Sequence, residues 1–357
     1  MPSSVRWSLG VGLAVSAGAL YLAFRNVPLE ALWRYLDQVD YRYLGLSLLL
    51  VGVVLAARTW RWQILLGLTH RIGFRQAFHP LMIALMLNGI LPGRIGELAR
   101  PALLRQRHRI AFATGLGSVM TERILDLLSL LALFAWVLAD VDLNQGKPAS
   151  FGGYRLDGDA VLTAARATLG AALVILAAAG GLCSAKMRRL AVQFLGGMAD
   201  AIPWLSPPQR RWIEARILLP FRAGLEHLAA GLALGRHPWR LLAAAGLSIL
   251  IWLLTAISFQ VLALGFPELE LRLAQMTAVM AVICFCIALP SVPGWWGLWE
   301  AGGVFALSLF GIEPGPALAF TLVNHGVQIL PPILIGWVSM LIGGVRPGTL
   351  ARISRTV

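Results

Sequence analysis

The chain has 357 residues, 58% of them hydrophobic and only 13% charged, with a mean hydropathy of +0.74. A soluble domain carries about a quarter charged residues, and several apolar runs here reach the roughly 18–20 residues that cross a bilayer, so a soluble fold is excluded. The formal net charge of +13 is almost all arginine, Lys147 and Lys186 being the lysines; it lies between apolar spans, which argues against nucleic-acid binding and reads as positive-inside loops.

The N-terminus imitates a signal peptide, with Arg6, an apolar run and small residues at Ser16–Ala19. The run continues through Leu20–Phe24, so a retained first helix is expected. Six long apolar stretches lie near 6–24, 43–57 (with 66 as an outer limit), 112–139, 160–183, 241–265 and 317–342. Two more, 77–92 and 273–311, are interrupted by Pro and Gly. The three cysteines, Cys183, Cys284 and Cys286, lie in or beside apolar segments without metal-ligand spacing, so no zinc site and no disulfide framework is expected.

Loop charge sets the orientation. Segments 58–75, 94–109 and 186–240 are rich in arginine, whereas 140–159, 266–272 and 312–316 are acidic. The basic segments belong in the cytoplasm and the acidic ones outside. Segments 58–75 and 94–109 then share a side, so 77–92 enters the membrane and returns. The same holds for 273–311 from the opposite side. The expected fold is all-α, with about six full transmembrane helices and two inverted re-entrant helical hairpins around a central cavity. It forms a single domain over 1–357, with half-repeats near 43–183 and 241–342. Segment 186–240 is too polar to span and reads either as a helical pair at the cytoplasmic membrane surface or as a solvated helical cover. Both termini are expected in the cytoplasm.

The two hairpins turn at related sequences. Pro92-Gly93-Arg94-Ile95-Gly96-Glu97 and Pro293-Gly294-Trp295-Trp296-Gly297 share Pro-Gly-x-x-Gly, with Glu97 and Glu300 shortly after. Each turn is followed by a long helix with a polar cluster: Glu122, Arg123 and Asp126 in the first half, Asn324, His325 and Gln328 in the second. The separation from Pro92 to Arg123 equals that from Pro293 to Asn324. Inverted repeats of this kind place broken helices around a midplane site in transporters.

Pro92 breaks a helix, and Gly93 and Gly96 permit tight geometry. A helix starting near Gly96 would aim N–H groups and the positive end of its dipole into the cavity, as a phosphate receptor. Arg94 and Arg100 add full charges there; the alternative is that both snorkel to the interface. An acid at membrane depth costs about 2.5–3.5 kcal/mol. Glu97 and Glu300 are therefore either paired or protonatable coupling sites. Glu122 and Asp126, four apart, share a face, and with Arg123 form either a headgroup or proton site or a buried ionic lock. Asn324 and Gln328 share a face likewise, and His325 is either a functional group or a packing residue. Trp295, Trp296 and Trp299 read as an interfacial belt more readily than as a channel wall. No GxSxG, Walker A, HExxH or DxD pattern is present, and no cofactor or metal is implied.

These residues resemble a known family. Leu87-Asn88-Gly89-Ile90-Leu91-Pro92-Gly93-Arg94-Ile95-Gly96-Glu97, Arg100 and Thr121-Glu122-Arg123-Ile124-Leu125-Asp126 are similar to the first signature of the lysylphosphatidylglycerol synthase transmembrane region, also called the flippase-like or UPF0104 family. Leu289-Pro290, Pro293-Gly294, Gly297, Glu300-Ala301 and His325 are similar to its second. In bifunctional members this part flips the lipid made by an attached aminoacyltransferase domain. Neither that domain nor the glycosyltransferase domain of archaeal relatives is legible here, so the resemblance implies a translocating half. The implied partner is a membrane lipid: an anionic phospholipid, a polyprenyl-phosphate-linked lipid or a hopanoid. The location implied is a bacterial inner membrane. The alternative is a non-transporting partner of a lipid-modifying enzyme, docked through 186–240.

Overall fold

A computed structural model of the chain describes residues 3–25, 27–67, 70, 72–91, 94–140, 150–151, 154–155, 158–181, 238–289 and 292–344. The expected surface helices of 186–240 lie outside the described residues up to 237, as do Pro92, Gly93 and Cys183. The described elements are α1 (Ser3–Phe24), α2 (Leu29–Asp37), α3 (Tyr41–Leu66), α4 (Phe74–Ile90), α5 (Gly96–His108), α6 (Phe112–Asp140), α7 (Gly158–Gly181), α8 (Pro238–Ala263), α9 (Leu273–Cys286), α10 (Leu298–Ser308) and α11 (Pro314–Ile342). A 3-10 turn, Pro293–Trp295, precedes α10. The protein is an all-α polytopic membrane protein. One two-residue antiparallel pairing, Ser150–Phe151 with Tyr154–Arg155, interrupts the acidic segment before α7.

Among the described residues α3, α8 and α11 combine the length and apolarity needed to cross a bilayer. With 26 residues each, α3 and α8 extend about 39 Å at about 1.5 Å per residue. The hairpin legs are shorter. The 17 residues of α4, 13 of α5, 14 of α9 and 11 of α10 give at most about 26 Å, less than a hydrocarbon core of about 30 Å.

Two four-helix halves emerge. α3, α4, α5 and α6 match α8, α9, α10 and α11 in order, and the outer members match in length, 26 residues for α3 and α8 and 29 for α6 and α11. The halves interlock reciprocally, with α4 packed on α11 and α9 packed on α6. Between them α3 and α8 form the most extensive helix pair, and they run antiparallel. The Asp40 N–H donates to the Gly265 carbonyl at 3.0 Å, the Ser47 hydroxyl to the Ser258 carbonyl at 2.9 Å, and Arg61 to the Ser248 hydroxyl at 2.7 Å. At the far end Arg240 caps the Gly67 carbonyl. Equivalent helices in opposite directions are what an inverted repeat requires.

The structure carries the second span to its outer limit at Leu66. Arg58 and Arg61, read from sequence as cytoplasmic loop charges, belong to α3. It also adds the short α2, whose Trp33 is exposed and whose Tyr35 lies against Gly315 at the start of α11. Small residues let the halves close: a Cβ on Gly336 of α11 would fall 2.6 Å from the Met82 carbonyl of α4. Around this seam Phe259, Phe320 and Trp299 pack edge to face or tilted.

Candidate functional site

Two buried polar clusters lie in the bundle, one per half. The first gathers around Arg61, whose side chain is 1% exposed. Glu122 and Asp126 stand one helical turn apart on α6, so a single guanidinium reaches both. Arg61 donates from Nη2 to Glu122 Oε1 at 3.1 Å and from Nη1 to Asp126 Oδ1 at 2.5 Å. Glu122 Oε2 accepts from Arg100 of α5. The Arg100 guanidinium lies 4.2 Å from the centre of the Trp62 ring, and the Trp62 indole donates to the Ser118 hydroxyl at 3.0 Å. Asp126 Oδ1 also accepts from Trp252 of α8 at 3.2 Å. Removing a charge from water is expensive unless each partner is satisfied, and here each carboxylate is shared among several donors.

Arg123 closes the cluster on its open side. It meets Asp126 at 3.3 Å and Glu97 at 3.9 Å, and its side chain is 38% exposed. The guanidinium of Arg58 lies 5.7 Å from the Trp252 ring centre. Four arginines, Arg58, Arg61, Arg100 and Arg123, thus surround three carboxylates, Glu97, Glu122 and Asp126.

The second cluster is built on the second turn. Glu300 is 0% exposed, and its Oε2 accepts from the Gly297 N–H at 2.7 Å, tying the start of α10 to its own third residue. Its Oε1 lies 2.6 Å from His325 Nδ1, and His325 Nε2 lies 2.8 Å from the Gly294 carbonyl. Trp299 stacks on the His325 ring, centroids 4.8 Å apart, and Trp296 leans on it at 4.5 Å. Gln328 donates to the Ser258 hydroxyl at 2.9 Å. Asn324 is buried, and neither its amide nitrogen nor its oxygen has a partner.

The residues singled out from sequence sort accordingly. Glu97, Arg100, Glu122, Arg123 and Asp126 come together, but Arg100, expected to face a ligand, is turned inward. Arg94 stands apart: it is exposed and donates to the Ile287 carbonyl of α9 at 3.3 Å, linking the first turn to the other half. The first N–H of α5, at Gly96, is already taken by Asn88 Oδ1 at 2.8 Å. Of the tryptophans, Trp296 is half exposed as a belt residue would be, whereas Trp299 is core. Glu300 and His325 form one pair, while Asn324 and Gln328 share the next face.

The matched helix starts of α6 and α11 set Glu122 against Asn324, Arg123 against His325 and Asp126 against Gln328. This shifts by one residue the pairing that turn spacing suggests. Arg94 and Trp295 match in the turns, and both adopt left-handed backbone, φ 53° and 59°. Arg61 escaped the sequence reading, yet a signal existed. Val51, Val54, Leu55, Trp62 and Leu65 make a buried stripe at helical spacing, and Arg61 lies on it.

Together, antiparallel halves, hairpin legs too short to span and charge sealed in the core define a polytopic α-helical membrane protein with an inverted internal repeat. The chain belongs to the lysylphosphatidylglycerol synthase TM region family, whose profile matches residues 9–336. Over 77% of its length it is 28% identical to the glycosyltransferase AglD of Haloferax volcanii, and it spans 44% of that relative's length.

Proposed function

We propose that the protein is a lipid translocase, not an enzyme, moving an anionic or phosphate-bearing headgroup between leaflets of a bacterial inner membrane. The observation that carries this is the charge balance of the first cluster. Four arginines against three carboxylates leave one positive charge in excess, and Arg123 presents a side chain that is 38% exposed. A half-exposed guanidinium at membrane depth is costly unless it has a use, and its fork fits a phosphate. Arg61, Arg100, Glu122 and Asp126 hold this positive site in place; Arg123, with Arg58 beside it, receives the headgroup while acyl chains stay in the bilayer. Among the lipids that the family resemblance implies, an anionic phospholipid or a polyprenyl-phosphate-linked lipid uses such a site and a hopanoid without phosphate does not. We place both termini in the cytoplasm.

The test is lipid movement in liposomes holding the purified chain, read by chemical quenching of a fluorescent phosphatidylglycerol or phosphatidylcholine probe in the outer leaflet. Movement of the anionic probe is expected to exceed protein-free vesicles several-fold. Arg123→Ala should remove most of it, and Arg123→Lys should retain part. Equal rates for wild type and Arg123→Ala would sink the site assignment.

A second reading has one observation in its favour: the chain matches less than half of a protein named as a glycosyltransferase. In that reading the chain presents lipid to a lipid-modifying enzyme without moving it. Absent movement of every probe, together with a transferase recovered in stoichiometric amount on the purified chain, would favour it.

A further inference from the structure

The contact between Glu300 and His325 fixes how many protons the pair holds. A carbonyl can only accept, so the 2.8 Å contact with Gly294 puts a hydrogen on His325 Nε2. The 2.6 Å contact of Nδ1 with Glu300 Oε1 then needs one proton between the two atoms. Imidazolium facing carboxylate satisfies this, and so does imidazole accepting from carboxylic acid. Either way the pair is neutral.

No other proton count keeps the contacts. Removing the proton sets the Nδ1 lone pair against a carboxylate oxygen. Adding one sets N–H against O–H, or sends the acid hydrogen to Oε2, which already accepts from the Gly297 N–H at 2.7 Å. Each change breaks the bond that ties α10 to α11 or the one that ties α10 to its own turn. The burial of the pair, with side chains 2% and 0% exposed, makes an unpaired charge there expensive.

The surroundings bear on access and on charge. Asn324, next to His325, and the Trp299 indole, next to Glu300, are buried polar groups without partners. Buried polar groups in native proteins nearly always find one, and these two lie directly beside the pair. Among the described residues, no ion pair or hydrogen bond joins a third charged side chain to the pair. On α9 the titratable groups are Cys284 and Cys286, the latter packed against Gly302 of α10. On α3, Arg61 turns to α6 and α8, and Arg58 lies over Trp252. Tyr35 of α2 packs on Gly315 at the start of α11, while Tyr21 of α1 is exposed.

We propose that Glu300 and His325 form a proton-binding site whose single shared proton holds the second hairpin closed against α11, so that gain or loss of H⁺ releases it. The coupling of this release to lipid movement rests on the translocase reading; the proton site itself does not.

Glu300→Gln separates the two. A glutamine donates its amide hydrogen to Nδ1 and accepts from Gly297, imitating the one-proton contacts without an ionisable carboxyl. Infrared titration of the full chain in lipid nanodiscs, without added substrate, is expected to reveal a carboxyl band, of the acid or of the carboxylate, that appears, vanishes or shifts with pH in wild type and is missing in E300Q. In liposomes with the phosphatidylglycerol probe, a transmembrane pH gradient should change the wild-type rate several-fold and leave the E300Q rate unchanged. The absence of any Glu300-dependent band overturns the proton site, whatever the lipid does. A band together with gradient-insensitive wild-type movement overturns the coupling. A band without movement of any lipid supports the proton site and overturns the translocase reading. Because E300Q keeps both hydrogen bonds, it should elute as wild type does in size exclusion.

Discussion

Gln63 and Gln260 occupy the same place in the two halves: near the end of α3 and of α8, each amide donates across the following turn to a backbone carbonyl, Ile72 at 2.9 Å and Leu271 at 2.8 Å. The next residues repeat as well. Gln76 accepts from the Gly73 N–H and Gln275 from the Arg272 N–H, both at 2.8 Å, and so start α4 and α9. Two glutamines thus fold each hairpin back beside the helix before it.

Gln63→Leu and Gln260→Leu each strand a partly buried carbonyl, which costs up to about 1–3 kcal/mol. The two sites lie toward opposite ends of the antiparallel α3–α8 pair, so their effects should add. Thermal unfolding in detergent of both single variants and the double variant checks this; a double variant no worse than either single would mean that the halves do not fold as separate hairpins.

Arg61→Ala leaves Glu122 and Asp126 short of a buried partner, and a loss of about 3–5 kcal/mol is expected. The second half fills the same positions without charge: Ser258, counted from Gln260, takes the place of Arg61, and Asn324 and Gln328 take those of the acids. Copying it, with Arg61→Ser, Glu122→Asn, Asp126→Gln and Arg100→Ala together, should recover more than half of that loss. Denaturant titration of the three proteins measures it, and a quadruple variant weaker than Arg61→Ala would refute the equivalence.

Gly96 and Gly297 begin α5 and α10 against backbone. A Cβ on Gly96 would fall 1.9 Å from the Ala84 carbonyl, and one on Gly297, at φ +90°, would fall 2.3 Å from the Ser16 carbonyl. Alanine at either place should abolish recovery of monodisperse protein. Gly52→Ala, with open space around its Cβ, should stabilise by up to about 1 kcal/mol. Comparing yields after size exclusion distinguishes steric from general intolerance of these changes.

Orientation can be read at two exposed positions, Asp37 at the end of α2 and His70 after α3. In a background with Cys183, Cys284 and Cys286 replaced by Ala, Asp37→Cys in spheroplasts should react with a membrane-impermeant maleimide. His70→Cys should react only after lysis. The opposite pattern would invert the proposed topology and place the arginine-rich end outside.

Much of the architecture was legible in the sequence because a membrane reads simple quantities. Apolar length marked the spans, arginine asymmetry gave their expected sense, and Pro-Gly-x-x-Gly at 92–96 and 293–297 marked the broken helices. Backbone groups in lipid must be satisfied locally, so these signals lie in short stretches of chain. The i,i+4 spacing of Glu122 with Asp126 and of Asn324 with Gln328 put each pair on one face for the same reason.

What only the tertiary structure decided is which partner each polar group takes. Arg61 looks from sequence like the edge of a basic loop; it is buried because α6 and α8 bring Glu122, Asp126 and Ser248 to it from distant parts of the chain. Arg100 looks like a ligand-facing charge and is instead closed off by Glu122 and Trp62. The proton count at His325 depends on a carbonyl of a turn 31 residues away in the chain. Local spacing determines which face a side chain occupies; the meeting of two faces depends on how the inverted halves pack, and no local pattern encodes that.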